Sequence, residues 1–256
     1  ELKKMHELGL IVLGKTNMSE FGLDPETQNL LLPPTRNPLD LSLSSGGPNG
    51  GSAAAVAAGI CPMAFATDFS GSVRLSASFC QLTGFIPSRG IFPLRRGRYV
   101  PLTERKFLRK GFIARSIEDI EMLFLPLASK LREESKEVLR VAYSLDFGFV
   151  KVDPAVQAAF FAFIEKLVRA GHEVELVKPQ LDPSMLIQFQ NIVAVDRLLI
   201  VRDALEKNPE REGLLTEKTK LWLRYAASVS GLSYSYAETY LEWIKDKIDE
   251  LLSSYD

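Results

Sequence analysis

In the stretch "SSGGPNGGSAAAVAAG", Ser44 to Gly59, no side chain is larger than that of valine. Glycines on both sides of Pro48 and Asn49 specify a tight turn, and the alanines after Ser52 specify a helix. A helix with so thin a coat gains little by facing water and must lie close against its neighbours, so the fold has to be packed around it. Ser52 reads as the N-cap of this helix and Gly59 as its C-terminal stop. The weakly polar run Ser52 to Thr67 is too short to span a membrane and is broken by Gly59 and Pro62, which makes it buried protein.

The flanking sequence places this helix among strands. Leu2, Met5 and Leu8 recur at helical spacing, and "LIVLG" from Leu10 to Gly14 reads as a buried strand. Prolines 25, 33, 34 and 38 keep Met18 to Ser45 an extended loop. "CPMAFATD" is a second buried strand, and "SGSVRLSASF" turns sharply into a short helix. The irregular basic stretch between Gly84 and Gly111, with Arg89, Arg95, Arg96, Arg98, Arg105, Lys106, Arg109 and Lys110, reads as a solvated face. "SIEDIEMLFLPLAS" opens with a serine cap pattern, and Asp153 with Pro154 opens the helix "AVQAAFFAFIEKLVRAG". That helix lies between strands "LRVAYSL" and "HEVELV", the order of a crossover unit in a parallel or mixed sheet. The last third, from Leu181, is helical, so the expectation is an α/β fold: a mixed β-sheet core flanked by helices, with a helical C-terminal portion.

Composition narrows the partners. The chain has 256 residues, 46% of them hydrophobic, enough for a sizeable core. With 31 basic against 32 acidic side chains the net charge is -1, and no global positive field draws it to nucleic acid. Two cysteines, Cys61 and Cys80, sit in apolar surroundings and fit a reducing, cytoplasmic setting. With His6 and His172 they make no metal-binding pattern, so neither metal nor cofactor is expected. No charged segment followed by an apolar one opens the chain, so no signal peptide is read there.

Two glycine-serine stretches invite chemistry. "GGPNGGS" lacks the lysine of a phosphate-binding P-loop and the spacing of a dinucleotide fingerprint. In "DFSGSVR", the strand end, the turn at Gly71 and the backbone N–H groups around Ser70 to Ser72 would make a donor pocket beside the Ser72 hydroxyl. A serine nucleophile needs a base, and neither His6 nor His172 is well placed to be one, which points to lysine if there is a base at all. On these residues alone, Ser72 is open to two readings, a nucleophile or one more small residue in a turn.

Taken with "GKTNMSEF", "TRNPLDLSLSSGGPNGGSAAAVAAG", "ATDFSGSVRLSASFCQLTGFIPS" and "GFIARSIEDIEML", the sequence resembles the amidase signature family, which includes one component of glutamyl-tRNA(Gln) amidotransferase. The resemblance implies a single amidase-signature domain over 1–256, lacking N- and C-terminal segments of the full family fold. It implies amide cleavage by a Ser-Ser-Lys triad, with Ser72 at the nucleophile and Phe69, Ser70, Gly71, Gly47 and Asn49 around the oxyanion and substrate. Asp68, Arg74 and Ser52 are its supporting residues. The family's bridging serine, which carries a cis peptide bond, is replaced by Pro48, and its lysine would lie upstream of "GKTN". Lys15 corresponds to a strand-end lysine or is simply a solvent-facing charge.

Other positions depart from the family too. Phe69 and Ser70 replace a threonine-glycine pair, Ser76 a proline, and Ile86 a lysine. Proline tolerates a cis bond but carries no hydroxyl to relay a proton. The expectation is therefore an amidase-like hydrolase weakened at Pro48. The alternative is a catalytically inactive homologue that binds a small amide or carbonyl compound, or docks a protein partner or a second copy of itself.

Overall fold

The structure is a computed structural model, which describes residues 2–7, 9–88, 90–92, 100–128 and 137–256. Leu8 of the first apolar repeat, and Arg89, Arg95, Arg96 and Arg98 of the basic stretch, lie outside the described residues. The chain forms two compact units, Glu1–Arg132 with Ala194–Ala227, and Glu133–Val193 with Ser228–Asp256.

The first unit opens with α1 (Leu2–Glu7), a 3-10 turn at Glu20–Gly22 and a small antiparallel pair, β1 (Arg36–Asn37) and β2 (Asp40–Ser44). Next come α2 (Gly50–Ala57), β3 (Met63–Asp68), α3 (Ser72–Phe79), β4 (Thr83–Phe85), α4 (Leu102–Lys106), β5 (Arg109–Ala114) and α5 (Ile117–Ala128). Strands β3, β5 and β4 form one antiparallel sheet with β5 in the middle, Met63 opposite Ala114 and Thr83 opposite the same Ala114.

This sheet is apolar on both faces because both are covered. On one side Ala66 and Ile113 pack with Ala53 and Val56 of α2 and with Val73 and Ala77 of α3. Side chains alternate along a strand, so the neighbours Phe65, Phe112 and Ala114 face the other way, against Ile120 and Leu123 of α5. There the rings of Phe65, Phe92 and Phe112 meet edge to face at 5.3–5.8 Å between centroids.

The small-residue helix starts earlier than its sequence suggests. Asn49, not Ser52, stands at its N-cap, and Gly50 and Gly51 lie inside the first turn. A Cβ on Gly50 would overlap Thr27 Oγ1 and Ser45 Oγ, and one on Gly51 would overlap the Asn17 backbone. Close approach therefore fixes these glycines, and Ser52 spends its hydroxyl on Thr16 Oγ1 at 2.8 Å. The expected strand at Leu10–Gly14 does not form among the described residues. Ile11 and Leu13 are 84% and 70% exposed, and with no described strand beside them their backbone has no ladder to join. The stretch Gly84 to Gly111 is likewise less irregular than expected, since it includes α4 and the ends of β4 and β5.

The second unit contains the crossover read from the sequence: β6 (Arg140–Tyr143), α6 (Pro154–Arg169) and β7 (Glu173–Leu176), with β6 and β7 parallel. Asp153 caps α6 by accepting from Ala155 N at 2.8 Å. The chain then runs through α7 (Ser184–Lys207), a 3-10 turn at Pro209–Leu214, α8 (Glu217–Ser228) and α9 (Gly231–Leu252). Helix α7 is long and apolar enough to cross a membrane, by length and composition only. Within the first unit its Asp196 is buried and accepts from Thr103 N at 2.6 Å, as suits a helix packed on protein.

Candidate active site

Strand β3 ends at Asp68, three residues turn, and α3 begins at Ser72. Gly71 makes that turn with φ +116°, a backbone conformation that suits glycine, and a Cβ there would meet nothing within 4 Å. Asp68 holds the corner with both carboxylate oxygens. Its Oδ1 accepts from Gly71 N at 2.7 Å and Arg74 Nη2 at 3.0 Å. Its Oδ2 accepts from Val73 N at 3.2 Å and Arg74 Nε at 3.0 Å. Burial alone would raise the Asp68 pKa, but the Arg74 guanidinium and the Gly71 N–H outweigh it and hold the carboxyl below its ordinary value. A carboxylate at the positive end of a helix is favoured further.

This clamp also sorts the backbone donors. The N–H groups of Gly71 and Val73 are taken by Asp68, whereas those of Ser70 and Ser72 make no hydrogen bond with the described residues. Ser72 is 8% exposed, Ser70 is exposed, and Ser72 Oγ has no hydrogen-bond partner among the described residues.

The second glycine stretch is tied to the first through Asn49, whose Nδ2 donates to the carbonyl of Thr67, one residue before Asp68. The Gly47–Pro48 peptide is cis. Buried Thr27 organises the turn: its hydroxyl donates to Gly46 O at 2.9 Å and accepts from Gly50 N at 2.9 Å. The Pro48 carbonyl accepts from Ser19 N at 3.2 Å. Because Thr27 takes the Gly50 N–H, that donor is not left for an anion. Lys15 is exposed and pairs with none of these groups among the described residues.

Thr27, Phe107 and Arg197 contribute to this region and carry no signal in the sequence. Thr27 lies in a loop of ordinary polar residues. Phe107 packs edge to face on Phe69, centroids 5.9 Å apart, and Arg197 of α7 places its guanidinium carbon 5.5 Å from the centre of the same ring. Ser76, on α3, is fully buried, and its hydroxyl has no partner among the described residues. Nor is any group of described His, Cys, Asp and Glu residues arranged to hold a metal ion.

A sheet backed by a small-residue helix, with a serine at the first turn of the next helix and a carboxylate-guanidinium clamp beneath it, defines an amidase-type α/β fold. The family model described as "Amidase" matches residues 2–256, and the chain belongs to the amidase signature family. One relative is the first component (GatA) of the glutamyl-tRNA(Gln) amidotransferase of a Nostoc species, 34% identical over 196 residues, which cover 68% of this chain and 40% of that protein. The corresponding protein of Chromohalobacter salexigens is 40% identical over 141 residues, 55% of this chain and 28% of that one. Among solved structures, a bacterial aryl acylamidase superposes with TM-score 0.88 at 22% identity, covering 100% of this chain and 56% of that one. A 6-aminohexanoate cyclic dimer hydrolase gives 0.86 at 27%, covering 99% and 57%. The chain thus spans less than two thirds of the length of each of these relatives.

Proposed function

We propose that this chain carries the nucleophile-bearing part of an amide hydrolase, with Ser72 as the nucleophile. Ser72 Oγ attacks the amide carbonyl and its proton passes to a base. The N–H groups of Ser70 and Ser72 hold the developing oxyanion, the C–N bond breaks to release the protonated amine, and water then hydrolyses the acyl-serine. The observation that carries this reading is the Asp68 clamp, which occupies the Gly71 and Val73 donors and leaves those of Ser70 and Ser72 without an acceptor among the described residues. Membership of the amidase signature family supports the same chemistry.

Pro48 supports a reduced rate. The resemblance puts a proton-relaying serine at this position, and proline offers no hydroxyl. Ser72 Oγ, correspondingly, has no hydrogen-bond partner among the described residues, so no base among them touches it. A non-catalytic role, binding a small amide or carbonyl compound or docking a protein partner, is the second reading. The curated relatives are by name components of a multi-chain amidotransferase, which favours the partner.

A fluorophosphonate probe separates the two readings. Attack by Ser72 Oγ at phosphorus expels fluoride and leaves a stable adduct that mass spectrometry locates. An adduct at Ser72, lost in Ser72→Ala, supports hydrolysis. A folded chain that takes no label supports the binding role.

A further inference from the structure

Next to the turn that presents Ser72 lies a charged group that no described residue pairs. The Arg197 guanidinium rests over the Phe69 ring, its carbon 5.5 Å from the centroid, and its Nε is buried with no hydrogen-bond partner among the described residues. Arg197 makes no ion pair or hydrogen bond with any described residue. Asp196, beside it in sequence, accepts from Thr103 N instead, and the buried Thr103 hydroxyl likewise has no described partner. Buried donors in folded proteins are nearly always satisfied, and a guanidinium offers five of them in a planar fork. An unsatisfied guanidinium nitrogen held over the ring of Phe69 is a donor left for an acceptor from outside the described residues. Burial draws the Arg197 pKa down while Glu104 and Asp196 counter it, and an arginine so placed stays charged at neutral pH.

The geometry points to Arg197 as a specificity-determining residue that binds a carboxylate on the substrate, distal to the amide presented to Ser72. This rests on the amide-hydrolase reading above for the position of the scissile bond. Phe69 links the two ends: its ring holds the guanidinium, and its backbone begins the turn Phe69–Gly71 that leads directly to Ser72. A carboxylate matches the fork of a guanidinium in a bidentate pair.

The test is calorimetric binding of succinamate, the monoamide of a four-carbon diacid, against neutral succinamide. The Ser72→Ala chain is used so that no turnover intervenes. Binding of succinamate tighter by about tenfold or more is expected, falling to less than about twofold in Ser72→Ala with Arg197→Met and partly restored with Arg197→Lys. In the chain with Arg197 intact, the arginine Nε–H resonance shifts with succinamate and not with succinamide, a readout that needs no change at Arg197. Equal affinities, no binding of either compound, or a preference that survives Arg197→Met overturns the assignment. Fluorophosphonate labelling of the wild-type chain keeps the two claims apart: a labelled Ser72 without carboxylate preference sinks only the role of Arg197. Preference without labelling sinks only hydrolysis.

Discussion

Asp68 and Arg74 are joined by two hydrogen bonds of 3.0 Å, one to each carboxylate oxygen, with the Asp68 side chain 2% exposed and that of Arg74 61% exposed. The buried partner is the costly one to disturb, because its remaining bonds hold the Gly71 and Val73 N–H groups at the head of α3. Asp68→Asn keeps the shape and removes the charge, and should destabilise the chain by about 2–3 kcal/mol. A lower urea midpoint at unchanged slope is the expected result.

The same pair sets a pH dependence. The folded pKa of Asp68 lies below its unfolded value, so its contribution is fully present above roughly pH 4–5 and is lost as pH falls through the folded value. The stability gap between wild type and Asp68→Asn should therefore be largest near neutrality and shrink toward pH 3. Urea titrations at pH 7, 5, 4 and 3, as nominal settings bracketing the carboxylate range of about 3–5, give the comparison.

Thr27 supports the other glycine turn through buried hydrogen bonds. Thr27→Val preserves volume but strips the acceptor from Gly50 N and the donor from Gly46 O, both buried. The expected cost is about 2 kcal/mol, with slower labelling of Ser72 as the turn loosens. Thermal unfolding and probe kinetics on one preparation measure both effects.

Ser76 works in the opposite sense. Its buried hydroxyl is unsatisfied among the described residues, and Ser76→Ala removes it while leaving the packing of α3 intact. Stability should rise by roughly 1 kcal/mol, seen as a Tm higher by about 2–4 °C.

The parts legible in the sequence are those with local causes. An apolar run ending in an aspartate, then a glycine and a short amphipathic stretch, is enough to place β3, the turn at Gly71 and α3. Asp153 with Pro154 fixes the start of α6 in the same way. What could not be read depends on residues far apart in the chain. Ser52 has the right chemistry for a cap, yet Asn17, Thr27 and Ser45 crowd Gly50 and Gly51 so closely that the helix begins before it. Leu10 to Leu13 have strand composition, but a strand forms only with a partner, and none of the described strands lies there. Arg197 reaches Phe69 from more than a hundred positions away, and no pattern in either stretch announces it.

We propose Ser72 as the reactive group, slowed by the missing hydroxyl at position 48. The most direct measurement is the rate and site of fluorophosphonate labelling in the wild-type chain, Pro48→Ser and Ser72→Ala. A slow adduct on Ser72 is expected in the wild type, labelling faster by about tenfold or more in Pro48→Ser, the scale of a restored proton-transfer group, and none in Ser72→Ala. An adduct that persists in Ser72→Ala, or maps to another residue, would contradict it.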